Sequence, residues 1–358
     1  MKKKLMATMV GVASATSLMG QALHLEGVYT GDVLCNLSGG IKTGTSYLGT
    51  VKLGAALNTE KAKLWKGGTL RFSASNTHGG MPSAKLVGDC QTVSSIEAGN
   101  HTFLSELWYR QTLGKTTLTG GLQDFNAAYA TSDYADNYIN SSFGLFSTMS
   151  ANFCAPTYPL TGLGIDVRYE FSSLFAAQTA LFDGNVLDFS ENPYNLKWNL
   201  SPHLGYLSVT ELHYTPTLMG DRKGRYTLGG YYHTGGKGFG AYATLSQTLW
   251  QQSEKSVNIF LQASYTERTK NENYAYVGGG VNATGVFCSK GCDWFGASVA
   301  SAFFTDRETE TTFELSYKRT LWHHFFVQPD VQYVVHPARS TIPLKNALIG
   351  ILRFGMAF

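Results

Sequence analysis

Beyond residue 22 this chain has no apolar run of 18 residues, so no stretch of it has the length and composition of a transmembrane helix. Charge is thin as well: Asp, Glu, Lys and Arg make up 15% of the 358 residues, against about 25% in ordinary globular proteins. Only 9 residues are proline, and apolar residues at helical spacing are hard to find, which argues against a helical bundle. What is abundant points to closed β architecture, with 39 Gly, 20 Tyr and 21 Phe.

The first 22 residues, MKKKLMATMVGVASATSLMGQA, run from three lysines through a short apolar stretch to small residues. That is the layout of a secretory signal peptide, with cleavage expected after Ala22, whereas a membrane anchor would need a longer apolar core. The expected organisation is residues 1–22 as a leader and residues 23–358 as the mature protein. The leader carries Lys2, Lys3 and Lys4 and no acid, so the mature chain keeps 25 basic and 25 acidic residues. A nucleic-acid-binding protein would show a basic surplus, and this balance argues against that class.

Five cysteines remain after the leader, and an odd number in an exported chain leaves at least one outside an intramolecular pair. Cys288 and Cys292 bracket SKG in a turn, a spacing open to a local disulfide or to two free thiols. Zinc is a poor third reading, because no His or further Cys lies near them in sequence. No metal, cofactor or catalytic residue is expected.

Instead the chain alternates. In TGLGIDVRYEFSS, beginning at Thr161, Leu163, Ile165, Val167, Tyr169 and Phe171 share one parity, while Asp166, Arg168 and Glu170 share the other. Period two recurs from LHLEGVYTGDV through GTLRFSASN, HTFLSELWYRQTL and RYTLGGYYHT to NALIGILRFGMAF, and about 16 such stretches can be counted. Links after even-numbered strands are mostly short. Those after odd-numbered strands include the longest, Thr77 to Asn100 and Phe125 to Leu160. The last strand places Leu352, Phe354, Met356 and Phe358 on one face, suited to pairing with the first strand and closing the sheet. The expectation is all-β: a transmembrane antiparallel up-and-down barrel of about 16 strands, its long loops partly folded into the lumen. A soluble sandwich would also alternate strand by strand, but would not need a leader and a closing apolar strand together.

On this register Glu106, Trp108 and Arg110 point inward from the fourth strand, and Asp166, Arg168 and Glu170 from the sixth. Glu310 and Glu314 do so from the fourteenth strand, and Gln328, Asp330 and Gln332 from the fifteenth. Mixed carboxylates, guanidiniums and amides suit a neutral polyol, whose hydroxyls each donate and accept. An inward Trp offers a flat face to a pyranose ring. Asp89, Gln91 and Glu97 in the first long loop, with Asp133 and Asp136 in the second, are candidates for a constriction.

Several stretches resemble the carbohydrate-selective outer-membrane porins of the OprB family: GDVLCNLSGG from Gly31, SAKLVGDCQTVSSIEA from Ser83, ELWYRQ from Glu106, GGLQDFNAAYATSDYADNYINSSFG from Gly120, and ETTFELSYKRTLWHHFFVQPDVQYVVHP from Glu310. The resemblance covers nearly the whole mature chain. It implies passive, selective diffusion of sugars such as glucose across the bacterial outer membrane into the periplasm. It also implies surroundings of outer-membrane lipid and lipopolysaccharide; monomer and homotrimer both stay open. Terminal Phe358 resembles the assembly signal read by the barrel assembly machinery. The rivals are a general or differently selective diffusion porin and, remotely, a barrel lipase. For the latter GASVA from Gly296 lacks the final Gly of a nucleophile elbow. GGKGFG from Gly235 is not followed by the Lys-Ser or Lys-Thr of a phosphate loop.

Overall fold

The structure is a computed structural model that describes residues 22–358 apart from 199, 201, 202, 219, 221 and 323. The expected leader, except Ala22, lies outside the described residues. Sixteen long strands follow one another: β1 Leu23–Gly40, β2 Gly44–Asn58, β3 Gly68–Gly79, β4 His101–Leu113, β5 Thr116–Gln123, β6 Gly162–Glu170, β7 Phe175–Asp183 and β8 Tyr206–Tyr214. They continue as β9 Arg222–His233, β10 Gly238–Gln252, β11 Lys255–Thr266, β12 Asn273–Thr284, β13 Asp293–Phe304, β14 Glu310–Leu321, β15 Phe325–Val335 and β16 Lys345–Ala357. A two-residue strand, Thr217–Leu218, sits in the β8–β9 turn.

Each strand pairs antiparallel with its sequence neighbours, and β16 returns to β1 in a register that places Val33 against Leu352 and Asp32 against Arg353. The amide and carbonyl of Phe358 both bond Gly27, at 2.9 and 2.8 Å. The sheet is thus a closed 16-strand antiparallel barrel without an edge, the only β form whose backbone is fully satisfied in lipid.

Strand geometry sends successive side chains to opposite faces, and the alternation resolves as expected. Ile165, Val167, Tyr169 and Phe171 lie exposed on the outer wall while Asp166 is buried inside. Outward aromatics gather in two bands: Tyr169, Phe171, Phe175, Tyr214 and Trp250 near the short turns, and Tyr232, Phe239, Tyr265 and Tyr333 near the long loops. Such girdles mark the two membrane interfaces of a barrel. Val167→Arg is therefore expected to destabilise the inserted barrel by about 2–4 kcal/mol, the cost of Arg near the bilayer midplane. Arg168→Ala, one residue on but inward, should leave it near wild type. Urea titration of protein folded into liposomes compares the two, and equal midpoints would mean the faces are reversed.

One local irregularity matters for the lumen. Ser73 pairs with Glu106 but Ala74 pairs with Leu104, so Ser105 is an extra residue in β4. A bulge of this kind resets the alternation. Phe103 and Ser105 above it and Glu106 below it are accordingly all buried on the inner side, with Leu107 outward.

The lumen of a barrel this wide would be a plain water channel unless something folded into it. Two segments do, 80–100 and 124–161, both entering from the end that also carries the third long loop, 184–205. The second segment packs Phe125, Tyr129, Phe143, Phe146 and Met149 against inward side chains of β7 to β13, including Phe182, Tyr242, Phe260 and Tyr276. The first packs Leu86, Val87 and Val93 against Leu34, Val334, Ile349 and Ile351 of β1, β15 and β16. The inner loops thus cover β7 to β16, and the wall from β2 to β6 carries the remaining lumen.

Candidate functional site

The inward charges fall into two groups with different surroundings. On the covered side they hold the loops. Glu310 accepts from the backbone amides of Gln91 and Cys90, both at 2.8 Å, and of Ala338 at 2.6 Å. Glu314 accepts from the amides of Ile139 at 2.6 Å and Asn140 at 3.0 Å. Gln328 donates to the Asn137 carbonyl at 2.7 Å, and Gln332 to the Val93 carbonyl at 2.9 Å and to Asp330 at 3.2 Å. Arg353 grips Asp32 with two bonds of 2.8 Å and reaches Ser95 at 3.2 Å. The two loops also bond each other, Ser95 amide to Ile139 carbonyl at 2.8 Å and Ser141 amide to Thr92 carbonyl at 2.9 Å.

Glu310, Glu314, Gln328 and Asp330 are therefore inward, as the alternation requires, yet almost wholly buried. Their polar atoms serve loop backbone and one another, not an open lumen. Burying a backbone polar group demands a partner: Glu310 and Glu314 accept from loop amides, Gln328 donates to a loop carbonyl, and Asp330 accepts from Gln332.

On the uncovered side the charges face a space. Lys52 from β2 bonds Glu106 at 2.9 Å, and Arg71 from β3 approaches the same carboxylate at 3.7 Å while also bonding Glu26. Ser73 donates to Glu106 at 2.8 Å and the Trp108 indole N–H at 3.1 Å. The Arg110 guanidinium lies 4.6 Å over the Trp108 ring and bonds Thr119 at 3.1 Å. One face of Trp108 is thus occupied by a cation instead of standing open. Further along the wall Arg168 bonds Glu170 at 2.7 Å and Gln178 at 3.1 Å, and Asp166 lies opposite Thr119.

Between this wall and both loops lies a narrow cavity of about 230 Å3. Val28, Thr50, Lys52, Ser75, Phe103, Ser105 and Glu106 line it from the wall, Ser95 and Ile96 from the first loop, and Asp124, Tyr158, Pro159 and Thr161 from the second. Tyr158 closes the contact between the loops by donating to the Ile96 carbonyl at 3.2 Å.

The loop residues expected at a constriction do not line this cavity. Asp89 and Gln91 are buried beneath the first loop, close to Glu310. Glu97 is tucked against the Ser83 amide at 3.0 Å, and burial pushes its carboxyl up to about 7. Asp133 pairs with Arg225 at 2.8 Å, and Asp136 is exposed but lines neither wall of the narrow cavity. Desolvation accounts for the burial of Asp89 and Gln91, for the partial burial of Glu97 and for the pairing of Asp133, while Asp136 stays exposed.

Lys52 and Arg71 were legible, since both occupy the polar parity of strands whose other parity is apolar. Tyr158 and Asp124 had no such signal, because a loop has no period. Cys288 and Cys292 are joined by a disulfide in the β12–β13 turn, while Cys35, Cys90 and Cys154 are free.

Comparison with known proteins agrees with this geometry. A profile of the carbohydrate-selective porin, OprB family, matches residues 42–238 and 235–358. No curated protein sequence matches significantly. A high-pH structure of Pseudomonas putida OprB superposes with a TM-score of 0.86 over 96% of each chain at 18% identity. Its low-pH structure gives 0.64 over 96% of this chain and 95% of that one, also at 18% identity. A mutant of the Rh. blastica porin gives 0.58 over 94% of this chain and all of that one at 12% identity. At such identities the superpositions speak for the barrel fold, and the profile speaks for the family. The chain belongs to the OprB family of carbohydrate-selective porins, channels of the bacterial outer membrane.

Proposed function

We propose that this porin passes neutral monosaccharides of the glucose type, by passive diffusion, into the periplasm. The observation that carries the reading is the narrow cavity. Its wall sets a cation, a carboxylate and hydroxyls beside the apolar side chains of Val28 and Phe103, with Lys52 and Glu106 already neutralising each other. A solute that is neutral and hydroxylated can exchange its water partners for these groups one by one, whereas a net charge gains nothing from a balanced pair. Glu106, Trp108, Arg110, Asp166, Arg168 and Glu170 are the wall residues proposed to touch sugar. Glu310, Glu314, Gln328 and Asp330 are proposed to act at one remove, by holding the loops that set the width. The chain is proposed to be exported with its leader removed after Ala22, and Phe358 to serve as the mark by which the assembly machinery inserts the barrel among outer-membrane lipid and lipopolysaccharide. A homotrimer is favoured by polar groups on the outer wall of β3 and β4, where Asn76 bonds Thr102 at 2.7 Å beside His78. Bare lipid is a poor partner for such groups.

Swelling of liposomes holding the purified barrel tests the reading. Glucose is expected to enter faster than gluconate or a basic amino acid of similar size. Entry governed by size alone would identify a general diffusion pore.

A further inference from the structure

At the long-loop end the barrel holds a second, larger space of about 620 Å3, walled by the returning limb of the second inner loop, by the 184–205 loop and by the β9–β10 turn. Tyr158 and Pro159 line this vestibule and the narrow cavity alike. The two spaces share one wall, and the larger lies toward the loop end, beside Leu204, Gly235 and Lys237.

The lining of the vestibule is chemically distinct from that of the narrow cavity. No Asp or Glu contributes to it. Asn185 accepts from the Cys154 amide at 3.1 Å, which fixes its side chain and leaves its two N–H donors for a ligand. Phe153 packs on His233 with ring centroids 4.6 Å apart, presenting a half-buried aromatic surface. Lys237 adds a donor that enters no ion pair among the described residues. Amide donors around an aromatic surface match a pyranose, which is apolar on its faces and hydroxylated at its rim.

We infer that this vestibule is an outer carbohydrate subsite, which takes up a neutral sugar ring before the ring turns past Tyr158 into the narrow cavity. The inference rests on the sugar-channel reading given above. The 620 Å3 space also accommodates more than the 230 Å3 one, so a disaccharide can occupy the subsite.

Cys154 lines the vestibule, is exposed and is free, and so reports occupancy directly. Cys35 stands on the outer parity of β1, and Cys90 lies beside Glu310, away from this space. Alkylation of Cys154 by N-ethylmaleimide, located by peptide mapping of the whole folded protein, is measured with glucose, maltose, gluconate or sodium chloride added. Glucose and maltose are expected to slow it severalfold and saturably, with chloride inert. Asn185→Asp keeps the oxygen that holds the Cys154 amide but removes both donors, and should raise the half-protecting glucose concentration about tenfold. Alkylation indifferent to sugar, alongside normal glucose uptake in the swelling assay, would overturn the subsite and leave the channel reading intact. Protection without any glucose uptake would do the reverse. Protection by gluconate and not by glucose would overturn the assignment to neutral sugars.

Discussion

Replacing Glu310 and Glu314 together with Ala should raise single-channel conductance severalfold and admit solutes that the native pore rejects, while the barrel still inserts. These two carboxylates take five backbone amides, three at Glu310 and two at Glu314, in positions sealed from water. A buried N–H stripped of its partner costs about 1–3 kcal/mol, and more where the partner was charged. Four of the five amides belong to the inner-loop residues 90–91 and 139–140 and the fifth to Ala338, and water in the lumen offers them an alternative once the loops move away. The wall itself loses nothing, since β14 keeps its ladders to β13 and β15. Planar-bilayer recording and swelling with a graded series of oligosaccharides measure the effect. Native conductance together with the native size limit in the double variant would mean that the loops are held without these two carboxylates, by their apolar faces and the remaining contacts of Gln328, Gln332 and Arg353. Glu310→Gln should be milder, because one amide oxygen still accepts while the new NH2 opposes the donors around it.

Glu106→Gln should make the pore prefer anions, raising the chloride-to-potassium permeability ratio about tenfold, and Lys52→Met should shift it the opposite way. Lys52 and Glu106 are 2.9 Å apart and line the narrow cavity together, so removing either leaves its partner unbalanced where an ion must pass. A unit charge about 5 Å from a passing ion at an effective dielectric constant of about 20 acts with about 3 kcal/mol, which salt screening reduces. Even half of that is about tenfold in a permeability ratio. Glucose uptake should fall in Glu106→Gln, since the carboxylate also organises Ser73 and the Trp108 indole. Reversal potentials under a potassium chloride gradient read both variants, and two unchanged potentials would place the ion path away from this cavity.

Alternation carried much of the fold because the physics of a barrel wall is local. A strand between lipid and lumen must place apolar and polar groups on opposite faces at every step, so Val167 and Arg168 can be assigned from five residues on either side. Closure was legible for the same reason in the apolar face of the last strand, and the structure adds its pairing between Gly27 and Phe358. The bulge at Ser105 was not. An inserted residue leaves composition unchanged and shows only when β3 and β4 are aligned.

The sequence by itself determined the architecture, the outward and inward parities, and the family, through patterns confined to single strands and through the long ordered run after Glu310. Only the tertiary structure decided what the inward residues do. Glu106 and Glu314 are indistinguishable as inward acids on barrel strands; one meets Lys52 beside open space, the other two amides of a loop from more than 170 positions away. The difference comes from where two aperiodic segments pack in the lumen, and that is set by long-range burial of Phe143, Phe146, Val87 and Val93 against the wall. Contacts of that kind leave no repeating mark along the chain.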